Sequence, residues 1–130
     1  QIMPMTGSRV AYMLGEDHYT PAQLEAPNVN VQYGTFYLSR LLDRFEGAWP
    51  MAVAAYNAGP VHVSSWSRAW QDKGIGLDDW VEQIPLRETR TYVKGVSENY
   101  AEYVLLYGPD QSVVHVPARL GEDHREVIDF

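Results

Sequence analysis

The 130-residue chain has no cysteine, which excludes disulfides and thiolate chemistry and leaves the redox compartment open. It is short of basic residues. Ten Lys and Arg face 17 Asp and Glu, for a formal charge of −7. A nucleic-acid binder carries a basic face, and anionic lipid attracts one, so this balance argues against both partners. No apolar run approaches the roughly eighteen residues that a membrane span needs. No basic-then-apolar leader follows Gln1, and a chain starting at Gln reads as a fragment or a processed form. His18, His62, His115 and His124 are scattered without a helical ligand pair, so no metal is expected. Gly74-Ile75-Gly76 opens no phosphate loop, Asp78-Asp79 lacks the further oxygens of a calcium loop, and no serine sits in a nucleophile elbow. No cofactor is implied. What remains is ordinary for a globular domain: 45% apolar and 21% charged residues, enough chain for one core.

Turn residues cut the chain into short helical pieces. Thr6 to Leu14 predicts a helix with Val10, Met13 and Leu14 on one face and Gly15 as its stop. A polar loop is expected from Glu16 to Asn30. Val31, Gly34, Tyr37, Leu38, Leu41, Leu42 and Phe45 then recur at three- and four-residue steps, predicting an amphipathic helix ended by Gly47. Met51 to Tyr56 is small and apolar, too rich in alanine for a good strand and suited to a buried helix with close neighbours. Asn57-Ala58-Gly59 breaks it, and Pro60 opens another helix through Val63, Trp66 and Trp70. Asp78 is the expected cap of a short helix ending before Pro85. Thr89, Tyr92, Val93, Val96, Tyr100, Tyr103, Val104 and Tyr107 keep one face for about five turns, until Gly108-Pro109. The tail from Asp110 to Phe130 has no helical period, and Ser112 to Val116 pairs as a strand or lies extended. The expected fold is all-α over residues 1–109, followed by an extended or partly ordered acidic tail over 110–130.

Three segments carry more than architecture: Gln1-Ile2-Met3-Pro4; Ala54-Ala55-Tyr56-Asn57-Ala58-Gly59-Pro60; and Ile84-Pro85 with Glu88-Thr89-Arg90 and Tyr92-Val93. In this order and separation they resemble the lysozyme-like catalytic domain of the soluble lytic transglycosylases. Asn28, Gly34, Leu38, Leu41, Phe45, Trp66, Trp80 and Val81 extend the resemblance, which covers roughly residues 1 to 107. It implies a goose-type lysozyme-related helical fold and peptidoglycan glycan strands as partner. It implies action in the periplasm or at the cell envelope. In the family, the general acid is a glutamate on a helix preceding the Gln-Ile-Met-Pro segment. That helix would lie upstream of Gln1, so the domain is expected to lack its N-terminal part here, and the chain alone is expected to be inactive.

The family chemistry explains the residue types that remain. Most glycosidases use two carboxylates. The resemblance implies one, which protonates the oxygen bridging N-acetylmuramic acid to N-acetylglucosamine. It then takes the proton of the muramic acid's own 6-hydroxyl, which closes on the anomeric carbon to give a 1,6-anhydro sugar. An intramolecular nucleophile has a high effective concentration and needs no activated water. An acid that holds its proton near neutral pH needs an apolar, partly dry pocket, for which Met3 and Tyr56 are suitable walls. Gln1 and Asn57 offer amide donors and acceptors to a sugar.

Each residue also has a plainer role. Tyr56 suits a core anchor with its hydroxyl at the surface, and Asn57 before Ala58-Gly59 suits a helix C-cap that tolerates positive φ. Glu88 is a first-turn acid favoured by the helix dipole, or a partner of Arg87 or Arg90, or a substrate contact, with Tyr92 one turn on. Two other functions stay open beside the transglycosylase: a goose-type lysozyme-like hydrolase, and a catalytically incomplete peptidoglycan-binding or scaffold module. A helical interaction domain explains least, because packing does not require Gln1, Asn57 and Glu88 together. The oligomeric state is not legible.

Overall fold

The computed structural model describes residues 2–71, 73–109 and 114–124, and within these every regular element is helical. The elements are α1 (Pro4–Leu14), a 3-10 turn (Pro21–Glu25), α2 (Pro27–Arg44), α3 (Trp49–Ala58), α4 (Pro60–Gln71), α5 (Leu77–Glu82) and α6 (Arg87–Tyr107). Proline sets most of the starts. α1, α2 and α3 each carry Pro in the first two positions and none has a side-chain cap bond. A fixed φ and a missing N–H cost nothing where the N–H has no helical acceptor. Two boundaries therefore move. α1 begins at Pro4 rather than Thr6, and α2 begins at Pro27, so the expected loop to Asn30 is overturned at its end. Asn30 lies inside α2, and its amide donates to the Leu24 carbonyl at 2.9 Å.

α3 is the centre. It packs against α2, α4 and α6, and Met51, Ala52, Ala54 and Ala55 are fully buried. A helix hidden on every side has no polar face, and its alanines let three neighbours approach closely. Tyr33, Tyr37, Leu41 and Phe45 from α2 pack against it, with Val63 of α4, Leu77 and Trp80 of α5, and Val93 of α6 completing the core. α2 stops at Arg44, and the turn to α3 passes through Glu46 at φ 52° and Gly47 at φ 76°. Asp78 is not the cap of α5: Gly76 holds that position, and Asp78 and Asp79 both lie in the first turn, where the helix dipole favours them.

α6 differs most from expectation. It is 21 residues long, about 31 Å, whereas α3 is 10 residues, roughly 15 Å. Only Thr89 and Val93 are fully buried on α6, and Tyr100, Tyr103 and Tyr107 are exposed. The apolar periodicity runs on past the end of the helix it packs against. The outlying rings pair locally, Tyr103 with Tyr107 at 5.5 Å and Tyr100 edge-on to Trp49 at 5.7 Å.

The tail returns to the body. Of Ser112 to Val116, the first two residues lie outside the described residues and the rest form no strand. The indole of Trp49 donates to the His115 carbonyl at 3.2 Å. Further on, the Arg44 guanidinium, only 3% exposed, meets the Asp123 carboxylate at 2.8 Å. The His124 amide donates to the Arg44 carbonyl, and its ring meets Glu46 at 2.8 Å. Gly121 is buried against the Phe45 carbonyl, where a Cβ would sit 2.0 Å from the oxygen. Residues 114–124 thus form a strap sealing the α2–α3 corner.

Candidate active site

The site begins where α3 ends. Gly59 adopts φ 88° and ψ 144°, its N–H bonds to the Ala55 carbonyl at 2.8 Å, and Pro60 starts α4 at once. This break brings the last turn of a buried helix to the surface, so Tyr56 is half-buried and Asn57 is exposed. Asn57 is helical and is not the residue in positive φ; Gly59 takes that position, as a residue without Cβ does most cheaply.

Two cavities meet at Tyr56. One, of about 230 Å³, is lined by Ile2, Met3, Thr6, Tyr37, Tyr56, Asn57, Ala58 and Gly59. The other, of about 300 Å³, is lined by Asn30, Val31, Gly34, Thr35, Leu38, Val53, Tyr56, Tyr92 and Val96. The Tyr56 ring is their shared wall. It leans on Tyr37 at 5.4 Å between centroids, tilted by 41°. Its hydroxyl lies over Gly34, where an added Cβ would come within 2.7 Å of the oxygen. The bare backbone of α2 is what makes room for that hydroxyl.

Burial pushes the Tyr56 phenol above its ordinary value, and the neighbouring Tyr92 adds to the shift. Burial pushes Tyr37 up to about 12, against a smaller opposing pull from Arg44. Both hydroxyls therefore stay protonated, as hydrogen-bond donors, at any pH near neutral. Next in sequence to Tyr56, the Asn57 side-chain oxygen accepts a bond from the Thr89 hydroxyl at 2.7 Å. That bond ties the end of α3 to the start of α6.

The expected site residues divide clearly. Met3, 70% exposed at the start of α1, shares a cavity with Tyr56 and Asn57. Tyr92 lines the neighbouring cavity. Glu88 is exposed in the first turn of α6, beside Thr89, and lines neither cavity. Arg90, offered as its partner, instead donates to the carbonyls of Glu82 and Ile84. Gln1 lies outside the described residues. Sequence reasoning passed over Tyr37, Thr6, Gly34 and Thr89 as site residues. Thr89 had a signal: a hydroxyl on the apolar stripe of α6, 1% exposed, needs a partner. Neither cavity counts a carboxylate or a histidine among its lining residues. Glu46, Glu122 and His124 do group closely enough to hold a metal ion, but none lines either cavity.

Comparison with known proteins decides the family. The model of the transglycosylase SLT domain matches residues 1–78. The chain belongs to the transglycosylase SLT domain family. The SLT domain is 37% identical over 118 residues to the soluble lytic murein transglycosylase of Salmonella typhimurium, covering 88% of this chain and 18% of that protein. It is 38% identical over 112 residues to the protein of the same name from Escherichia coli K12, covering 83% and 17%. It superposes on the lytic transglycosylase Slt of Pseudomonas aeruginosa, solved as an inactive glutamate-to-glutamine mutant. The TM-score is 0.75 at 36% identity, over 88% of this chain and 18% of that one. The SLT domain is thus all-α and lysozyme-like, as its motifs implied. It spans less than one-fifth of the length of these relatives.

Proposed function

We propose that this SLT domain holds peptidoglycan glycan strands for cleavage of the β-1,4 bond between N-acetylmuramic acid and N-acetylglucosamine, leaving a 1,6-anhydro end. One observation carries the reading: Met3, Tyr56-Asn57 and Thr89, one from each motif segment, converge on one cavity or on its wall. Packing alone does not require the three to meet. The cavity sets Ile2 and Met3 beside the hydroxyls of Thr6, Tyr37 and Tyr56, so it offers a carboxylic acid some shelter from water and a sugar's oxygens several hydrogen-bonding groups.

In this reading the general acid is a glutamate from outside the two cavities, since no carboxylate lines them. Its proton passes to the bridging oxygen as the bond to the anomeric carbon breaks. The 6-hydroxyl oxygen bonds to that carbon, and its proton returns to the glutamate. Nothing else is consumed. The Pseudomonas relative, inactive as a glutamate-to-glutamine mutant, supports an indispensable glutamate. The inferred place of action is the periplasm or cell envelope, where the murein substrate lies.

The test is digestion of purified peptidoglycan with product masses. A longer protein that supplies the glutamate should release anhydro products, lighter by one water than hydrolysed ones. Hydrolysed ends would favour a goose-type lysozyme reaction and overturn the anhydro step. The 130-residue chain alone should be slower by at least the ~10²–10⁴-fold that a general acid contributes. Equal rates would refute the missing-acid reading. Binding without cleavage in every longer form would leave a glycan-binding module.

A further inference from the structure

Asn57 is exposed and its partner is not. The Thr89 side chain is 1% exposed, and its hydroxyl donates to the Asn57 Oδ1 at 2.7 Å. A threonine hydroxyl has one proton, and among the described residues this is the bond it makes. Water has little access to Thr89 and competes poorly for that proton. The amide of asparagine is planar, with an acceptor at one end and two donors at the other. Asn57 also lines the cavity with Met3, Thr6 and Tyr56, and with its oxygen engaged on α6 the NH₂ is the end of the amide left to meet a ligand there.

From this geometry we infer that Thr89 is a positioning residue that fixes the Asn57 amide as a donor, so that the cavity selects a ligand carbonyl such as an acetamido group. The inference rests on the glycan-binding reading above and deepens it. A hydroxyl that must donate finds no acceptor on an amide held this way. Freed of Thr89, the amide rotates and offers either end, and the preference for a carbonyl disappears.

The probes are tri-N-acetylchitotriose and cellotriose, neutral sugars of the same length that differ in the acetamido group. Affinities are measured by NMR titration of the 130-residue chain. Wild type should prefer the acetylated sugar by roughly tenfold, the scale of one neutral hydrogen bond. Thr89→Val keeps the shape and removes the proton, and should reduce that preference to within about twofold. Its melting temperature should barely change, because the exposed Asn57 oxygen takes water instead. Thr89→Ser restores the proton without the methyl and should keep the preference. The Asn57 side-chain NH₂ signals, assigned with Asn57→Asp, should shift on binding in wild type and in the serine variant only. An unchanged preference in Thr89→Val overturns the inference and leaves the glycan-binding reading intact. A lost preference in Thr89→Ser overturns it too, since the methyl would then be what matters. Wild type that binds neither sugar overturns both readings together.

Discussion

Gly34→Ala puts two effects of opposite sign on one atom. Gly34 has ordinary helical φ, so alanine is allowed there, and Ala is favoured over Gly inside a helix by about 1 kcal/mol. Against this, the new Cβ meets the Tyr56 hydroxyl at 2.7 Å, well inside contact distance, while Cζ lies at a comfortable 3.9 Å. The ring also leans on Tyr37 at 5.4 Å, so moving the hydroxyl aside disturbs that contact too. Forcing a methyl into such a place costs ~1–3 kcal/mol, so the net change should lie between neutrality and a loss of ~2 kcal/mol. Removing the hydroxyl removes the clash. In a Tyr56→Phe background the same Gly34→Ala change should therefore stabilise the protein by up to ~1 kcal/mol. The four proteins form a double-mutant cycle with a coupling of about 1–3 kcal/mol. Urea unfolding measures it directly. Thermal unfolding should separate the two backgrounds by several degrees, since 1 kcal/mol moves Tm by roughly 4 °C at this chain length. If Gly34→Ala changes stability equally in both backgrounds, the hydroxyl does not occupy the space over α2, and the account of the shared wall is wrong.

In a longer protein that supplies the glutamate, Tyr56→Phe should fold normally and lower kcat by about ten- to a hundredfold with little change in KM, the worth of one hydrogen bond to a charged group. Wild-type turnover in that variant would reduce Tyr56 to a packing residue. The Glu46 carboxyl is held below its ordinary 4.5, first by its hydrogen bond to His124 and then by the Glu122 amide. A lowered folded-state pKa gives a contribution complete above pH 4.5 and lost as the pH falls below it. The amide signals of Glu122 and His124 should accordingly move below pH 4.5 and before those of α3. Movement completed above that value would contradict the sign. Asp123→Ala should cost about 3 kcal/mol in urea unfolding by removing the counter-charge of the buried Arg44 guanidinium, against under ~1 kcal/mol for His124→Ala at the exposed pair. Equal costs would mean that Arg44 is satisfied without Asp123.

The parts of the fold written in local periodicity could be read from the sequence. The stripe from Val31 to Phe45, the alanine run of α3 and the Gly59-Pro60 break all correspond to the elements found. Starts were less legible than stops, because Pro4 and Pro27 each open a helix before its apolar period becomes visible. The reach of packing was not legible at all. Tyr100, Tyr103 and Tyr107 keep the period of Val93, yet whether a face is covered depends on the length of another helix. The same limit applied to the site. Tyr56 and Asn57 stood out because they end a buried helix. Thr89 is 32 positions from Asn57, and Gly34 matters for the Cβ it lacks. Neither relation leaves a mark on neighbouring residues. The strap was invisible for a similar reason: Asp123 looks like any acid in an acidic tail until Arg44 is found facing it.

That ion pair also bears on how the protein is made. Arg44 and Asp123 are 79 positions apart. At ordinary rates of synthesis the carboxylate follows its guanidinium by roughly 4 to 16 s. For most of that interval, once residue 71 has been made, α2, α3 and α4 exist in full, and their apolar surfaces favour association. To close their shared corner, however, they would have to take the Arg44 cation out of water beside the neutral Ser64 hydroxyl, before the Asp123 counter-charge is available. The growing chain should therefore keep the corner around Glu46–Ala48 more open than the finished one. The arrival of residues 121–124 adds the counter-charge and covers the corner. A nascent chain halted after α6 should be cut by protease at that corner, and one carried past Asp123 should resist.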